Sequence, residues 1–494
     1  LTHHMEKRPD LPLFTFWLPT EKTWKTINVK ETVEQITRWR HALVKEGLTK
    51  GDRCAMLLPN GINAILFDQS VLANALVPVP LHAVDTAGSS SYIINDSGAK
   101  LLVTGRLNRW EAIRDTEDHP ALRTVVITGE PVQEHQDGNV RVVGLDQWLT
   151  EGNGTELPAG PEPQDLAALV YTSGTTGRSK GVMLSERNFF SVMRAHVQIG
   201  ERMMEYKHDP ELVVSQYTVL PMFHLGAFIC LFSWAHGGWA LNISGDIRNF
   251  YKEIRRMPSQ VMAVVPVIMN SLHKDVMRGR KERLGELWVP ICSSAMFDPQ
   301  VMLDMATNGM FVVQTYGATE TCGDGIINYA QDAKHIGAVG QGNDYLDYKL
   351  EPDGELCIRG DSIMLGYYKD PEATAAVIDK DGWFHTGDLA RVDEDGYYYI
   401  TGRKKNLIIL DSGENVSPEE LEGMLEKCPA VQECIVKELG KKIGVVVYCE
   451  KEHQQTVRDF VTQMNRTVPL YKRIGVVEFS AEPLPRNATG KLVR

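Results

Sequence analysis

Residues 171–182 read Tyr-Thr-Ser-Gly-Thr-Thr-Gly-Arg-Ser-Lys-Gly-Val and follow the apolar run Leu166–Val170. These twelve residues supply three glycines, five Ser/Thr hydroxyls and two cations. Glycines let backbone N–H groups come close to a ligand, and hydroxyls donate to oxyanions. Arg178 and Lys180 offset negative charge. The combination suits a polyphosphate. Two other motifs fit poorly. A P-loop counted from Gly174 needs Gly-Lys-Ser/Thr where the chain has Ser179-Lys180-Gly181. Gly177-Arg-Ser179-Lys-Gly181 spells the G-x-S-x-G of a hydrolase elbow, but that elbow sits at a strand end, and Ser179 lies several residues beyond the apolar run. Taken alone, the segment also reads as a plain Gly/Ser surface loop.

Further segments follow in order. They are Leu220-Pro-Met-Phe-His224, Gln314-Thr-Tyr-Gly-Ala-Thr-Glu320, Gly354-Glu-Leu-Cys-Ile-Arg-Gly360, Trp383-Phe-His-Thr-Gly-Asp388 and Gly402-Arg403. Ser412-Gly-Glu-Asn-Val-Ser-Pro418 and Pro485-Arg-Asn-Ala-Thr-Gly-Lys491 complete the series. With the glycine-rich loop, these segments resemble the adenylate-forming superfamily of acyl-CoA synthetases, peptide-synthetase adenylation domains and luciferases. The likeness runs along essentially the whole chain and is strongest to an acyl-CoA synthetase.

The resemblance implies activation of a carboxylic acid by ATP to acyl-AMP with release of pyrophosphate, then thioester formation with CoA. It assigns Thr172, Ser173, Gly174, Thr175, Thr176, Gly177 and Lys180 to the β- and γ-phosphates, Thr319 to the α-phosphate and Glu320 to Mg²⁺. Tyr316 and Gly317 take adenine, with Ser294 and Ala295 nearby. Asp388 takes the ribose, since the two oxygens of a carboxylate suit a vicinal diol, and Arg403 contacts ribose or phosphate. Lys491 stands between the acyl carboxylate and the α-phosphate. One such contact at about 4 Å and an effective dielectric near 20 is worth about 4 kcal/mol, or roughly a thousandfold in rate. Met222, Phe223, Gly226 and Ala318 form the acyl pocket, and His224 gates it or the thiol tunnel. Gly413 and Glu414 line the thiol path, and Lys405 is the hinge of a mobile carboxy-terminal domain. One departure concerns Ser293-Ser294-Ala295, where relatives usually have Gly-Gly-Ala. The residues remain small, so close approach to a ligand survives.

Amino-acid-activating relatives usually carry an Asp just after the aromatic of the Leu220-Pro-Met-Phe motif. Here no acid follows Phe223 until Asp246, which disfavours an α-amino acid. The apolar neighbours point to a fatty or aromatic carboxylate. Two other readings stay open at this point. One is a stand-alone adenylating enzyme that loads the phosphopantetheine of an acyl carrier protein. The other is a nucleotide-binding protein without catalysis.

The elements that must hold these residues read as α/β. Apolar runs such as Cys54–Leu58, Leu101–Thr104, Val125–Thr128 and Val261–Val265 alternate with helical stretches at 31–46 and 61–73. Pro78 and Pro80 demote the run Leu76–Leu81 to an edge strand or a loop. Shorter, antiparallel strands are expected at Leu356–Arg359 and Tyr397–Ile400. Ser417 before Pro418, Glu419 and Glu420 marks a helix start. The expected architecture is a large amino-terminal domain, residues 1–402, of mainly parallel sheets flanked by helices plus a distorted barrel. A small mobile α+β domain, residues 403–494, completes it.

The 494 residues are 43% hydrophobic and 23% charged, which predicts a full core. The net charge of −12 argues against a broad nucleic-acid surface but leaves room for a focused anion site. The eight cysteines show no C-x-x-C pair and read as reduced thiols in a cytoplasmic protein. Residues 212–245 carry no Lys, Arg, Asp or Glu, yet they hold Pro221, His224, Gly226, His236, Gly237 and Gly238, with the polar Ser215 and Gln216. A buried strand and helix of the core is therefore expected there, and no transmembrane segment.

Overall fold

The computed structural model describes the chain except for residues 1, 19–20, 83–85, 153, 173–178, 210–211, 223–224, 226–238, 294–296, 411–414, 441, 487–491 and 493–494. The chain divides into two compact units. One comprises Leu1–Asp347 and Arg359–Gly382, the other Tyr348–Ile358 and Trp383–Arg494.

The first unit contains a nine-stranded and a six-stranded sheet. In the nine-stranded sheet, Val313–Gly317, Val289–Cys292, Val261–Val264, Ser215–Thr218, Ala240–Ile243 and Pro12–Leu18 form a parallel block. Antiparallel strands flank it on both sides: Gly325–Asn328 and Gln341–Gly342 on one, Thr23–Asn28 on the other. The six-stranded sheet is parallel apart from His135–Asp137. Two of its inner strands, Leu101–Thr104 and Thr124–Ile127, are buried at every position, as a sheet covered on both faces requires. Val77–Pro80 forms its edge, where the missing N–H groups of Pro78 and Pro80 cost no ladder bonds. The uncharged stretch expected to enter the core supplies two neighbouring strands of the nine-stranded sheet, Ser215–Thr218 and Ala240–Ile243.

A three-stranded antiparallel sheet joins Leu166–Thr172, Lys180–Ser185 and Gly366–Tyr367. It leads into the helix Glu186–Lys207, which starts with a capping box between Ser185 and Asn188. The Asn188 amide also donates to the carbonyls of Asp361 and Ile363, each at 2.8 Å. One side chain thus closes the helix start and fixes the segment that leads to Tyr367.

The second unit pairs Glu433–Leu439, Lys442–Tyr448 and Val476–Ser480 in one sheet. The helices Pro418–Leu425 and Gln454–Thr467 bury Leu421, Leu425, Val457 and Val461 in the same core. A four-stranded antiparallel sheet carries Glu355–Arg359, Phe384–Val392 and Tyr398–Arg403. Pro418–Leu425 begins after Ser417 as expected, but the Ser417 hydroxyl does not cap it. It donates instead to the Thr401 carbonyl at 2.8 Å, with Glu419 at 3.1 Å.

No sheet closes on itself among the described residues, so the barrel expected beside the parallel sheets is represented by open antiparallel sheets. The seven described cysteines are buried and none forms a disulfide. Among the described residues, no helix is long and apolar enough to cross a membrane.

Candidate functional site

In the first unit the glycine-rich loop joins two antiparallel strands, with Thr172 and Lys180 as register partners at its ends. A P-loop or a hydrolase elbow needs a strand–turn–helix, and neither is built here. Residues 173–178 of the loop, hence Ser173, Gly174, Thr175, Thr176 and Gly177, lie outside the described residues.

Lys180 Nζ sits 5.2 Å from the centroid of the Tyr367 ring and 3.5 Å from Asp370 Oδ2. The Tyr367 hydroxyl donates to Glu320 Oε1 at 2.9 Å. One tyrosine therefore joins the lysine of the glycine-rich loop to the glutamate expected at the metal. Burial, and then the Glu320 carboxylate, push the Tyr367 hydroxyl well above its ordinary value, so it remains a donor at working pH. Tyr367 carried no distinctive signal in the sequence. Its role follows from the pairing of Gly366–Tyr367 with Met183 and Val182.

Tyr316 and Gly317 end a strand, and Thr319 and Glu320 occupy the short helical turn that follows. The turn is closed by Gly323 N–H to the Ala318 carbonyl at 2.7 Å and by Ala318 N–H to Thr321 Oγ1 at 2.9 Å. Tyr316, Ala318, Thr319 and Glu320 are half-buried, which leaves them open to a ligand. A Cβ at Gly317 would lie 2.6 Å from the Asp324 carbonyl, so the backbones pass here only because the residue is glycine. Asp324, later in the turn, is buried, and burial lifts its carboxyl to about 7.

Met222, expected in the acyl pocket, is buried. Asn60 clamps its segment: the side chain accepts from Met222 N–H and donates to the Leu220 carbonyl, both at 2.9 Å. Phe223, His224, Gly226, Ser294 and Ala295 lie outside the described residues.

In the second unit Asp388 and Arg403 are register partners across an antiparallel pair. Arg403 Nε is 2.6 Å from Asp388 Oδ1. Thr386 Oγ1 accepts from Asp388 N–H at 3.0 Å and donates to the Leu356 carbonyl at 2.7 Å. Glu355 accepts from Gly387 N–H at 3.0 Å and from Lys404 at 2.9 Å, and meets His385 at 3.2 Å. Burial works to raise the Glu355 carboxyl, but bonds from Lys404, His385 and Gly387 outweigh it and hold it below its usual range. Glu355 is thus a charged anchor under the Asp388 strand. It stands in the Gly354–Gly360 motif without a role suggested by its type. Lys405 lies exposed in the short turn Lys404–Asn406. Gly413, Glu414 and Lys491 lie outside the described residues.

Residues 1–368 match the AMP-binding enzyme family. The long-chain-fatty-acid–CoA ligase of Escherichia coli O157:H7 is 30% identical over 91% of this chain and 85% of its own length. The fatty acyl CoA synthetase of Mycobacterium tuberculosis superposes with a TM-score of 0.72 at 25% identity, covering 100% of this chain and 95% of its own. The O-succinylbenzoate coenzyme A synthetase of Bacillus subtilis, in complex with AMP, has the same fold. Its TM-score is 0.81 at 22% identity, covering 99% of this chain and 96% of its own. With its glycine-rich hairpin, its Thr319–Glu320 turn and a match over most of its length, the chain belongs to the AMP-binding enzyme family.

Proposed function

We propose that the chain is an AMP-forming acid–CoA ligase acting on a fatty or aromatic carboxylic acid. In the first step a carboxylate oxygen of the acid attacks the α-phosphorus of ATP. The bond to the bridging oxygen breaks, and pyrophosphate leaves with its electron pair. In the second step the CoA sulfur attacks the acyl carbon, the thiol proton is lost, and AMP departs. The first step brings two anions together, so the residues must supply cations and donors rather than a strong nucleophile.

The observation that carries this reading is the Lys180–Tyr367–Glu320 chain. It places a cation and a carboxylate from separate motifs on the two sides of one tyrosine. Lys180 and the hydroxyl-rich loop hold the terminal phosphates, and Thr319 donates to the α-phosphate. Tyr316 packs against adenine, and Asp388 with Arg403 binds the ribose. Glu320 fits a magnesium ion: it offers a hard oxygen ligand, and among the described residues only its Oε1 is engaged, by Tyr367. Bound with the nucleotide, such an ion offsets phosphate charge. Lys491 bridges the acyl carboxylate and the α-phosphate in this scheme, and Met222, Phe223, Gly226 and Ala318 hold the acyl group. His224 gates that pocket, while Gly413 and Glu414 guide the thiol. The boundary at 402/403, with Lys405 as hinge, and a cytoplasmic site of action belong to the same proposal.

Acid-dependent pyrophosphate–ATP exchange across a panel of carboxylates tests the first step, and CoA as acceptor tests the second. Lys491→Ala is expected to abolish exchange while leaving thioester formation from synthetic acyl-AMP largely intact. Equal loss of both half-reactions would remove Lys491 from the adenylation step.

A further inference from the structure

The helix Glu186–Lys207 packs Ala195, Ile199 and Met203 into the core of the nine-stranded sheet. Another part of its surface walls a cavity of about 740 Å³ through Met193, Arg194 and Val197, with Tyr345 in the same wall. Arg194 lies over the Tyr345 ring, its guanidinium carbon 5.6 Å from the centroid. It has no ion-pair partner among the described residues.

Tyr345 is fixed from behind. Its hydroxyl donates to Asp324 Oδ1 at 3.2 Å and receives the Asn343 amide at 3.1 Å. Asp324 is 3% exposed, and its Oδ2 has no hydrogen-bond partner. A buried carboxyl with an idle oxygen is costly, so its retention calls for a reason. Burial raises its carboxyl to about 7, while bonds from Gly325 N–H and Tyr345 and the charge of Arg194 work against the rise. Arg194 is exposed and lines the cavity, so its N–H groups are open to what enters it.

The cavity wall is built on the same elements as the residues proposed for activation. The helix starts where the Lys180–Ser185 strand ends. Asp324 belongs to the turn that carries Thr319 and Glu320, through Asp324 N–H to the Thr321 carbonyl at 3.0 Å. Phosphate-side lysine, metal-side glutamate and cavity wall share one scaffold within the first unit.

We propose that this cavity seats the tail of the acid, and that Arg194 selects acids whose tail carries a neutral hydrogen-bond acceptor such as a keto or hydroxyl oxygen. This rests on the acid-activation reading above. Met193 and Val197 take the carbon chain, and the planar guanidinium offers donors in a fixed direction. Asp344, in the same wall, repels a second full negative charge and so favours a neutral acceptor over a second carboxylate. A plain hydrocarbon tail would strip water from Arg194 and leave its donors unmet, which is the costly mismatch.

Matched acids, one with a plain tail and one bearing a keto or hydroxyl oxygen there, are compared in pyrophosphate–ATP exchange. The wild type is expected to favour the substituted acid by about tenfold or more in kcat/KM. Arg194→Met keeps a stem over Tyr345 but removes the donors, and brings that ratio to about one. Tyr345→Phe, which cuts the tie to Asp324, gives an intermediate ratio. No preference in the wild type, or equal loss on both acids in Arg194→Met, overturns the proposal. If no acid supports exchange, the acid-activation reading fails, and calorimetric titration of the same pairs decides the cavity. Tighter binding of the substituted acid, lost in Arg194→Met, supports the site; equal binding, or none, overturns it.

Discussion

Arg403 Nε lies 2.6 Å from Asp388 Oδ1, the two residues facing each other in register across an antiparallel pair. Asp388 is buried, while the Arg403 side chain is about half exposed. The arginine thus holds the carboxylate in one orientation while keeping a wet edge of its own.

If that carboxylate meets a ribose, Asp388→Ala raises the KM for ATP by roughly ten- to a hundredfold, the worth of one or two hydrogen bonds to a charged group. Arg403→Lys keeps the charge but loses the planar Nε donor, so it gives a smaller rise in the same constant. Initial rates at varied ATP, with acid and CoA saturating, read both effects. An unchanged KM for ATP in Asp388→Ala would take the pair off the nucleotide.

Tyr367 yields a second prediction. Its hydroxyl donates to Glu320 at 2.9 Å, and a hydrogen-bonded carboxylate is an oriented metal ligand. Tyr367→Phe leaves the ring below Lys180 and removes only the hydroxyl. The Mg²⁺ concentration for half-maximal exchange should rise by about ten- to a hundredfold, as outer-shell deletions do. A purely structural role would lower the melting temperature and leave the Mg²⁺ midpoint where it was.

Much of this arrangement was legible from residue types and order. Leu101–Thr104 and Val261–Val264 announce themselves as short apolar runs because both faces of their sheets are covered. The two prolines of Val77–Pro80 mark an edge for a stated chemical reason. Thr319–Glu320 and Asp388–Arg403 stood out because each lies in a compact local motif. What could not be read is what distant segments do to one another. Tyr367 is an ordinary tyrosine until Gly366–Tyr367 joins the Lys180 strand. Asn60 is a loop residue until the 220–222 segment folds onto it. Arg194 and Tyr345 have no sequence relation at all, and only the packing of a helix beside the turn that carries Tyr345 brings the guanidinium over its ring. The Ser417 hydroxyl misled in the opposite sense: its type fits a cap, but the Thr401 carbonyl takes it first.

The last prediction concerns stability. Asp68, in the helix Ile62–Ala73, is fully buried, and its Oδ1 has no hydrogen-bond partner. Burial pushes its carboxyl from an ordinary 3.8 up to about 8, the Glu186 carboxylate adds to the rise, and a bond from Gln69 opposes it. The fold therefore holds Asp68 protonated at neutral pH. The stability tied to that proton is complete below about 3.8, where the unfolded chain is also protonated, and is lost as pH climbs to about 8. Asp68→Asn keeps the shape and cannot ionise, so it removes this loss. The variant should gain on the wild type steadily from pH 5 to pH 8, by on the order of a few kcal/mol at most, and no further above that. Urea titrations at stepped pH measure the difference directly. A variant whose stability runs parallel to the wild type across that range would show that Asp68 does not keep its proton in the fold.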